Sequence, residues 1–354
     1  MKKENGLNFK IGNRTIGENQ PAFIIAEISG NHNQSFKRAK KLVETACQCG
    51  VDAIKIQTYT PDTMTINSTK KWFQVKVNAA WKGKTLYQLY QEAYTPWEWQ
   101  LKLKKIANSY NIPLFSTPYE ETAVNFLEKM GVPAYKIASF EVTDLEFLKR
   151  VAATKKPVII SRGMASLAEL KEAISTLRKY GSSKIAILHC VSSYPAKPEE
   201  MNLSTIPEIK KRFGVVTGLS DHSITTFTAT AAVALGASII EKHFTLRRAD
   251  GGPDAAFSLE PAELKELVRS VRELEKAIGE PHLGLGKRES ENIVFRRSLF
   301  AVKNIKKGEK FTRENVRSIR PAYGLKPKLM PQILKKRAKK DIRRGTPLSW
   351  DLIG

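Results

Sequence analysis

The sequence lacks any segment that is both apolar enough and long enough to cross a membrane. Its longest apolar stretch, residues 229–240, is interrupted by Gly236, whereas a membrane-spanning helix needs about 20 consecutive apolar residues. The first sixteen residues include lysines but no apolar core behind them, so no cleaved secretory signal is expected. We therefore expect a cytoplasmic protein with no membrane partner.

Cysteine is scarce. The 354 residues include 3 cysteines, too few for the disulfide framework that stabilises small secreted domains. Cys47 and Cys49 are two residues apart on a predicted helix and point in different directions, and the spacing typical of a zinc site is absent. We expect three free, mostly buried thiols in a reducing compartment.

Acidic residues are few relative to basic ones. There are 35 Asp and Glu against 59 Lys and Arg, a net charge of +24, and from Lys287 onward the count is 6 against 20. Such an excess suits nucleic acid, an acidic membrane surface or small anionic substrates. Because no interleaving of basic and aromatic residues marks an RNA-binding sheet nearby, we favour a solvated basic surface over nucleic-acid binding.

Eight short apolar runs alternate with segments of helical periodicity. The runs are residues 23–28, 53–58, 113–116, 134–139, 157–161, 185–190, 215–220 and 238–244. Strands that alternate with helices favour parallel pairing, and eight such units predict an α/β fold of the closed (β/α)₈, or TIM barrel, type. The barrel is expected to end with a helix from Pro261 to Ile278.

Two further segments define the domain organisation. The connection after the second predicted strand, residues 61–96, is much longer than a normal loop in such a barrel and is rich in aromatic residues, so we expect a lid or a dimer contact. Glycine and charge in residues 281–296 predict a linker. The predicted domains are therefore the barrel, 1–280, and a small β-rich domain, 297–354.

Polar residues stand at the carboxyl ends of all eight predicted strands, where barrel enzymes carry their reactive groups. They are Glu27, Lys55, Gln57, Ser116, Thr117, Lys136, Ser139, Glu141, Ser161, His189, Ser220, His222, Glu241 and His243. Lys55 and Lys136 occupy positions expected to face inward, and with the nearby hydroxyls they could cradle a phosphorylated or carboxylated anion. The alternative is the Schiff-base lysine of an aldolase.

Two histidines follow successive strands. His222 and His243 end the last two predicted strands, which are neighbours in a barrel, and Glu241 and Asp254 are close to them in sequence. Imidazoles that converge in this way can hold one divalent ion and leave positions open for a substrate oxygen. Two histidines that satisfy each other by hydrogen bonding are the alternative, and the sequence favours the metal site.

A set of ordered motifs resembles the N-acylneuraminate (sialic acid) synthase family. The motifs are IAEISGNHN (25–33), IKIQTYTPDT (54–63), FSTPYE (115–120), YKIASFE (135–141), HCVSSYP (189–195), GLSDHS (218–223), EKHFT (241–245) and GGPDAAFSLEP (251–261). The last sixty residues, with IRPAYGLKPK (319–328), resemble the antifreeze-like (SAF) domain of that family. Within the family, CVSSYPAKPE and ADGGPDAAFSLEP are similar to the branch that makes pseudaminic acid, with the N-acetylneuraminate and legionaminic acid branches as alternatives.

The resemblance implies a metal-dependent transferase. It would condense phosphoenolpyruvate with 2,4-diacetamido-2,4,6-trideoxy-β-L-altropyranose and water, with C–O cleavage of the phosphate ester. The implied phosphoenolpyruvate contacts are Lys55, Thr117, Lys136, Ser139, Ser161 and Ser220. The implied sugar contacts are Gln57, Tyr194, Asp254 and Arg320. The implied catalytic residues are Glu27, Glu241, His222 and His243.

The resemblance also implies a cofactor and a quaternary arrangement. His222 and His243 would hold a divalent ion, Mn²⁺ in the first place, with Mg²⁺ or Co²⁺ as alternatives. The protein would be a domain-swapped homodimer in which the SAF domain of one subunit caps the active site of its partner. Arg320 would then contact the acylamino group of the sugar.

Overall fold

The computed structural model describes residues 7–76 and 81–354. The chain divides into two compact units, the first ending at Gly279 and the second beginning at Glu280. Residues 281–296, the predicted linker, contain a 3₁₀ helix, Glu289–Phe295; the predicted limits of the domains and linker stay a prediction. No helix in the described part of the chain has both the length and the apolar character needed to cross a membrane.

The first unit begins with an antiparallel hairpin and continues as a closed barrel of eight parallel strands. The hairpin strands are β1 (Phe9–Ile11) and β2 (Arg14–Ile16). The barrel strands are β3 (Phe23–Glu27), β4 (Ala53–Thr58), β5 (Leu114–Pro118), β6 (Tyr135–Ile137), β7 (Val158–Ser161), β8 (Ile185–Cys190), β9 (Val216–Asp221) and β10 (Ile239–His243). Each predicted run becomes one of these strands, and the predicted TIM barrel is confirmed.

The helices of the first unit begin and end at ordinary capping signals. The Ser166 hydroxyl accepts a hydrogen bond from the backbone N–H of Glu169, and the Ser166 backbone N–H donates to the Glu169 carboxylate, which is a capping box. Gly131 ends another helix in the left-handed conformation. The helices are α1 (Phe36–Gln48), α2 (Pro61–Met64), α3 (Leu86–Ala93), α4 (Trp97–Ser109), α5 (Glu121–Met130), α6 (Leu145–Ala152), α7 (Leu167–Lys179), α8 (Thr205–Phe213), α9 (Phe227–Ala234) and α10 (Pro261–Ile278). The last has the predicted bounds.

The register of the strands decides which polar side chains meet at the carboxyl end of the barrel. Glu27 of β3 is level with Lys55 of β4 on one side and with His243 of β10 on the other. Ser220 of β9 is level with Glu241 of β10. Because alternate side chains of a strand point to the same face, this register brings carboxylates, a lysine and an imidazole together inside one end of the barrel.

The second unit is a small domain with its own apolar core. Strands β11 (Ser298–Ala301) and β12 (Val316–Ile319) pair antiparallel, and a short helix, α11 (Met330–Ile333), follows. Two turns of this unit, residues 306–308 (KKG) and 343–345 (RRG), end in glycines with positive φ, Gly308 at 81° and Gly345 at 86°, the conformation that glycine adopts without strain. The segment from residue 338 to 353 makes isolated bridges and no regular strand; Pro347 within it has no N–H to donate to a ladder.

Candidate active site

A cavity of about 350 Å³ lies at the carboxyl ends of the barrel strands. This is the face at which (β/α)₈ enzymes carry their active sites. The residues with a predicted role that line it are Lys55, Gln57, Lys136, Ser139, Ser161, Tyr194, Ser220, His222, Glu241, His243 and Asp254. Glu27 and Thr117 do not line it, and both contact the Lys55 ammonium.

The base of the cavity is a cluster of paired charges, which we call the charged base: Glu27, Lys55, Lys136 and Glu241. The Lys55 ammonium contacts Glu27, lies 3.4 Å from Glu241 Oε1 and donates to Thr117 Oγ1 at 3.1 Å. Lys136 Nζ lies 3.4 Å from the same Glu241 oxygen. All four side chains are buried. Buried charges persist when they are paired in this way.

Each of these groups shifts the pKa of its neighbours. Burial raises the pKa of Glu241, but Lys136, Lys55 and His222 together outweigh it, and the net effect lowers the pKa to about 2. Burial lowers the pKa of Lys136, and Glu241 offsets this only in part. Burial also lowers the pKa of Lys55, but Glu241 and Glu27 outweigh it and the pKa is raised. Glu241 is therefore a carboxylate at neutral pH, and Lys55 is charged.

Hydroxyl groups surround the charged base. Ser220 Oγ donates to Glu241 Oε1 at 3.1 Å, and the Ser139 and Ser192 hydroxyls are 3.1 Å apart. Ser161 Oγ is buried and has no hydrogen-bond partner, a rare condition that commonly marks a place for a ligand or water. The approach of these serines depends on Gly163, whose φ is +45° and where an added Cβ would lie 2.2 Å from Ser139 Cβ.

The two histidines meet beside this base. Their ring centroids are 5.4 Å apart. His222 Nδ1 lies 2.8 Å from the carbonyl oxygen of Val191, so it is placed to donate and to leave Nε2 as an acceptor or ligand. His243 Nδ1 is buried without a hydrogen-bond partner and lies 3.9 Å from Asp254 Oδ2. The unpaired nitrogen argues against two histidines that satisfy each other.

The donor set fits a divalent cation in part. Burial lowers the pKa of His243 well below its ordinary value, which keeps the imidazole neutral and its lone pair available. Within residues 7–76 and 81–354, no group of three or more His, Cys, Asp or Glu side chains could hold an ion. His222 and His243 alone would therefore leave the other coordination positions to water or substrate.

An ion pair next to the histidines fixes the strand ends in place. Lys242 Nζ lies 2.9 Å from Asp221 Oδ2, and both side chains are fully buried. Asp221 Oδ1 also accepts from the backbone N–H of Ser223 at 2.8 Å. Asp221 and Lys242 directly precede His222 and His243, so the pair holds the chain from which both imidazoles project. Sequence reasoning missed Lys242, although a lysine inside an apolar run beside an aspartate on the next strand was a usable signal.

Three candidates are placed elsewhere. His189 Nε2 lies 2.6 Å from the carbonyl oxygen of Met201, and Ser116 Oγ donates to the carbonyl of Ile56 at 3.0 Å. Neither lines the cavity, because the neighbouring Cys190 and Thr117 take the inward positions. Arg320 follows β12 in the second unit, where its side chain is exposed; its role at the sugar stays a prediction.

The long connection after β4 supplies the other side of the cavity. Met64, Val75, Leu86, Leu89 and Ala93 line it, and we call these five residues the apolar wall. Residues 77–80 of this connection lie outside the described residues. Its predicted role as a dimer contact stays a prediction.

Glu141 lies at the cavity between the two sides. It was among the strand-end candidates but had no assigned role, and it lines the cavity with one carboxylate oxygen buried and unpaired. Burial raises its pKa to about 7, against the attraction of Lys136. Such a carboxyl changes its protonation near neutral pH and is a common feature of functional sites.

Comparison with known proteins agrees with the motifs. The model of the NeuB family matches residues 42–282, and that of the SAF domain matches residues 296–354. The pseudaminic acid synthase of Campylobacter jejuni is 44% identical over 339 residues, which cover 96% of this chain and 98% of the relative. The pseudaminic acid synthase of Helicobacter pylori is 41% identical over 333 residues, 94% and 98% of the two chains.

A solved structure extends the likeness to three dimensions. The N-acetylneuraminic acid (sialic acid) synthetase of Leptospira borgpetersenii, in complex with citrate, matches with a TM-score of 0.73 and 34% identity over 81% of this chain and 95% of that chain. The match of the family model over more than half of the chain decides the assignment. The protein belongs to the NeuB family and carries a SAF domain at its C-terminal end.

Proposed function

We propose that this protein is a pseudaminic acid synthase. It condenses phosphoenolpyruvate with 2,4-diacetamido-2,4,6-trideoxy-β-L-altropyranose and water, and it releases pseudaminic acid and phosphate. The observation that carries the reaction class is the cavity base, where Lys55 and Lys136 share Glu241 beside His222 and His243. The relatives named pseudaminic acid synthase, 41% to 44% identical over nearly the whole chain, support the choice of sugar.

The charged base suits the two anionic groups of phosphoenolpyruvate. Among the described residues, the one ionic partner of Lys136 is a shared carboxylate oxygen at 3.4 Å, so an incoming carboxylate or phosphate would complete its pairing. The unpaired hydroxyl of Ser161 and the hydroxyl of Ser139 would donate to the same anion, with Ser220 and Thr117 beside the lysines. Preorganised donors of this kind stabilise charge without reorganising during the reaction.

The bond changes follow from the two substrates. The enol carbon of phosphoenolpyruvate attacks the aldehyde carbon of the open-chain sugar, water adds to the cationic centre left at the second carbon, and phosphate leaves with its bridging oxygen. The oxygen of the water becomes the C2 carbonyl oxygen of the product, and its two protons go one to the former aldehyde oxygen and one to the departing phosphate. Glu241, with a pKa of about 2, can accept a proton in this sequence but holds none to donate at neutral pH.

A divalent ion is part of the proposal. We infer that His222 and His243 hold it, with Mn²⁺ preferred over Mg²⁺ or Co²⁺, and that Asp254 and Gln57 face the sugar nearby. When bound, such an ion supplies positive charge that polarises a carbonyl oxygen. The chain's own part is to present the two imidazoles, the first positioned by the Val191 carbonyl.

Quaternary structure and location complete the proposal. We propose a homodimer in which the SAF domain of one subunit caps the active site of the other through Arg320. Because phosphoenolpyruvate is a cytoplasmic metabolite, and because Cys47, Cys49 and Cys190 are all free thiols, we propose that the enzyme acts in the cytoplasm.

One experiment tests the reaction and the sugar together. Phosphate release from phosphoenolpyruvate is measured in Mn²⁺, with and without EDTA, for the altrose-derived diacetamido sugar, the legionaminic acid precursor and N-acetylmannosamine. Release with the first sugar and loss of it in EDTA are expected. Release only with one of the other sugars would replace pseudaminic acid as the product, and no release with any of them would refute the synthase. Borohydride trapping of pyruvate on Lys55 or Lys136 would favour the aldolase instead.

A further inference from the structure

The cavity has two chemically unlike sides. One is the charged base with its hydroxyls and histidines, and the other is the apolar wall. Three members of the wall, Leu86, Leu89 and Ala93, belong to α3, together with Tyr90, which also lines the cavity. The spacing i, i+3, i+4, i+7 places these four side chains on one face of the helix. That helix face is directed into the cavity, and Leu89 and Ala93 are almost fully buried.

Hydrogen bonds hold the segment that carries the apolar wall in place. The backbone N–H of Val75 donates to the carbonyl of Lys84 at 2.9 Å, and Gln74 bridges to Thr85. Thr85 in turn forms the capping box that begins α3, with Gln88 as its partner. These bonds fix the start of the helix and the chain that leads to it, so the apolar face keeps one orientation toward the cavity.

Two further contacts anchor the wall to the barrel. Tyr59, which follows β4, packs edge to face against Tyr90 of α3 and Tyr119 after β5, with ring centroids 5.7 and 5.2 Å apart. The indole N–H of Trp81 donates to the carbonyl of Pro253 at 2.7 Å. The wall is thereby tied both to the strand that carries Lys55 and to the loop that carries Asp254.

We propose that the apolar wall determines which sugars the enzyme accepts, by receiving the C6 methyl group of a 6-deoxy amino sugar. This proposal rests on the proposed function and names the substrate class of that site. Phosphoenolpyruvate carries no methyl group, and its anionic groups suit the charged base, so the wall is left to the sugar. The five side chains of the wall carry no hydroxyl, amide or charged group that could bond a hydroxyl at C6, whose burial against them would be costly.

The size of the effect can be set in advance. A hydrophobic site that excludes only an added hydroxyl discriminates by about 100-fold. The wall therefore separates 6-deoxy from 6-hydroxy sugars. It does not separate two 6-deoxy sugars that differ in the configuration of their ring carbons, which the polar side of the cavity must do.

The test compares the altrose-derived diacetamido sugar with its 6-hydroxy analogue on the full chain in Mn²⁺. The wild type should favour the 6-deoxy sugar by about 100-fold in kcat/KM. Leu89→Asn, which adds a hydrogen-bonding group to the wall, should reduce this ratio at least tenfold, mainly through KM. Val75→Thr adds a hydroxyl with almost no change of shape, so it should lower the ratio in the same direction and decide the outcome if Leu89→Asn does not fold.

A matched control is Leu101→Asn on α4, a leucine that is 48% exposed and does not line the cavity; it should leave the ratio unchanged. Equal kcat/KM for both sugars in the wild type would refute the wall proposal and leave the synthase intact. So would an unchanged ratio in a folded Leu89→Asn or Val75→Thr. Absence of turnover with every sugar would instead refute the proposed function, and the wall proposal with it.

Discussion

The charged base and the apolar wall enclose the same cavity but come from different parts of the chain. The charged base consists of residues within barrel strands β3, β4, β6 and β10, and the backbone register of β3, β4 and β10 fixes the relative heights of those three strands. The apolar wall comes from the connection between β4 and α4, whose described residues belong to no strand of the barrel. This difference means that the wall can change its substrate preference during evolution while the charged base retains the residues that carry out the reaction.

The largest loss of activity is expected from substitution of a histidine beside the charged base. His222→Ala should reduce phosphate release below detection with either sugar, because one of two predicted metal ligands is lost, and the ratio between sugars would no longer be measurable. Thermal unfolding and equilibrium binding of Mn²⁺ should show a folded protein with weakened metal binding. His282→Ala, at an exposed histidine of the second unit, is the control; a fully active His222→Ala would remove the metal site from the proposal.

A smaller loss of kcat/KM, equal for both sugars, is expected from a substitution in the charged base. Lys136→Met removes a charge of the base at similar length, and it should lower kcat/KM by about a thousandfold, as the loss of a preorganised donor does. The preference for the 6-deoxy sugar should stay as in the wild type. The control is Lys129→Met on the exposed side of α5. A changed sugar preference in Lys136→Met would show that the two sides are not separable.

The smallest effect concerns Glu141, which lies between the two regions. Its pKa in the folded chain is about 7, above the ordinary value near 4.5, so between these pH values the folded state holds a proton that the unfolded state has released. The stability that this proton contributes is present below about pH 4.5 and is lost as the pH rises through 7.

Glu141→Gln cannot titrate, so the melting temperature of the wild type relative to this variant should fall between pH 5 and pH 8. Glu146→Gln, at a side chain that is 83% exposed, is the matched control and should show no such trend. A difference between the wild type and Glu141→Gln that is constant across this range would mean that Glu141 has an ordinary pKa. The melting temperature is the appropriate readout because the chain has two compact units and need not unfold in one step.

The barrel was predictable because the sequence patterns that specify its strands and helices are local. Each strand is a short run of branched apolar residues between helical segments, and eight such units leave few alternatives to closure. The inward positions of Lys55 and Lys136 followed from the alternation of side chains along a strand. The same alternation explains why two strand-end candidates, Ser116 and His189, do not line the cavity. Their neighbours Thr117 and Cys190 face inward, so Ser116 and His189 face outward.

The wall and the role of Glu141 were not predictable in the same way. Residues 61–96 read as a long connection with aromatic side chains, and nothing in their pattern says which face of α3 turns toward a cavity built by other strands. The raised pKa of Glu141 results from burial, which depends on the assembled fold. The identity of the reaction came from motif resemblance, since lysines, serines and histidines at strand ends also suit an aldolase.

The hydrogen bond from Trp81 to Pro253 has a consequence for protein engineering. It joins the connection after β4 to the loop after β10, two segments separated by most of the barrel in sequence. If the connection after β4 were replaced by that of a related enzyme, this hydrogen bond would be lost unless the loop after β10 were replaced by the loop of the same enzyme. To alter the substrate range, the connection after β4 and the loop after β10 should therefore be exchanged together, because either segment alone would lack its hydrogen-bonding partner.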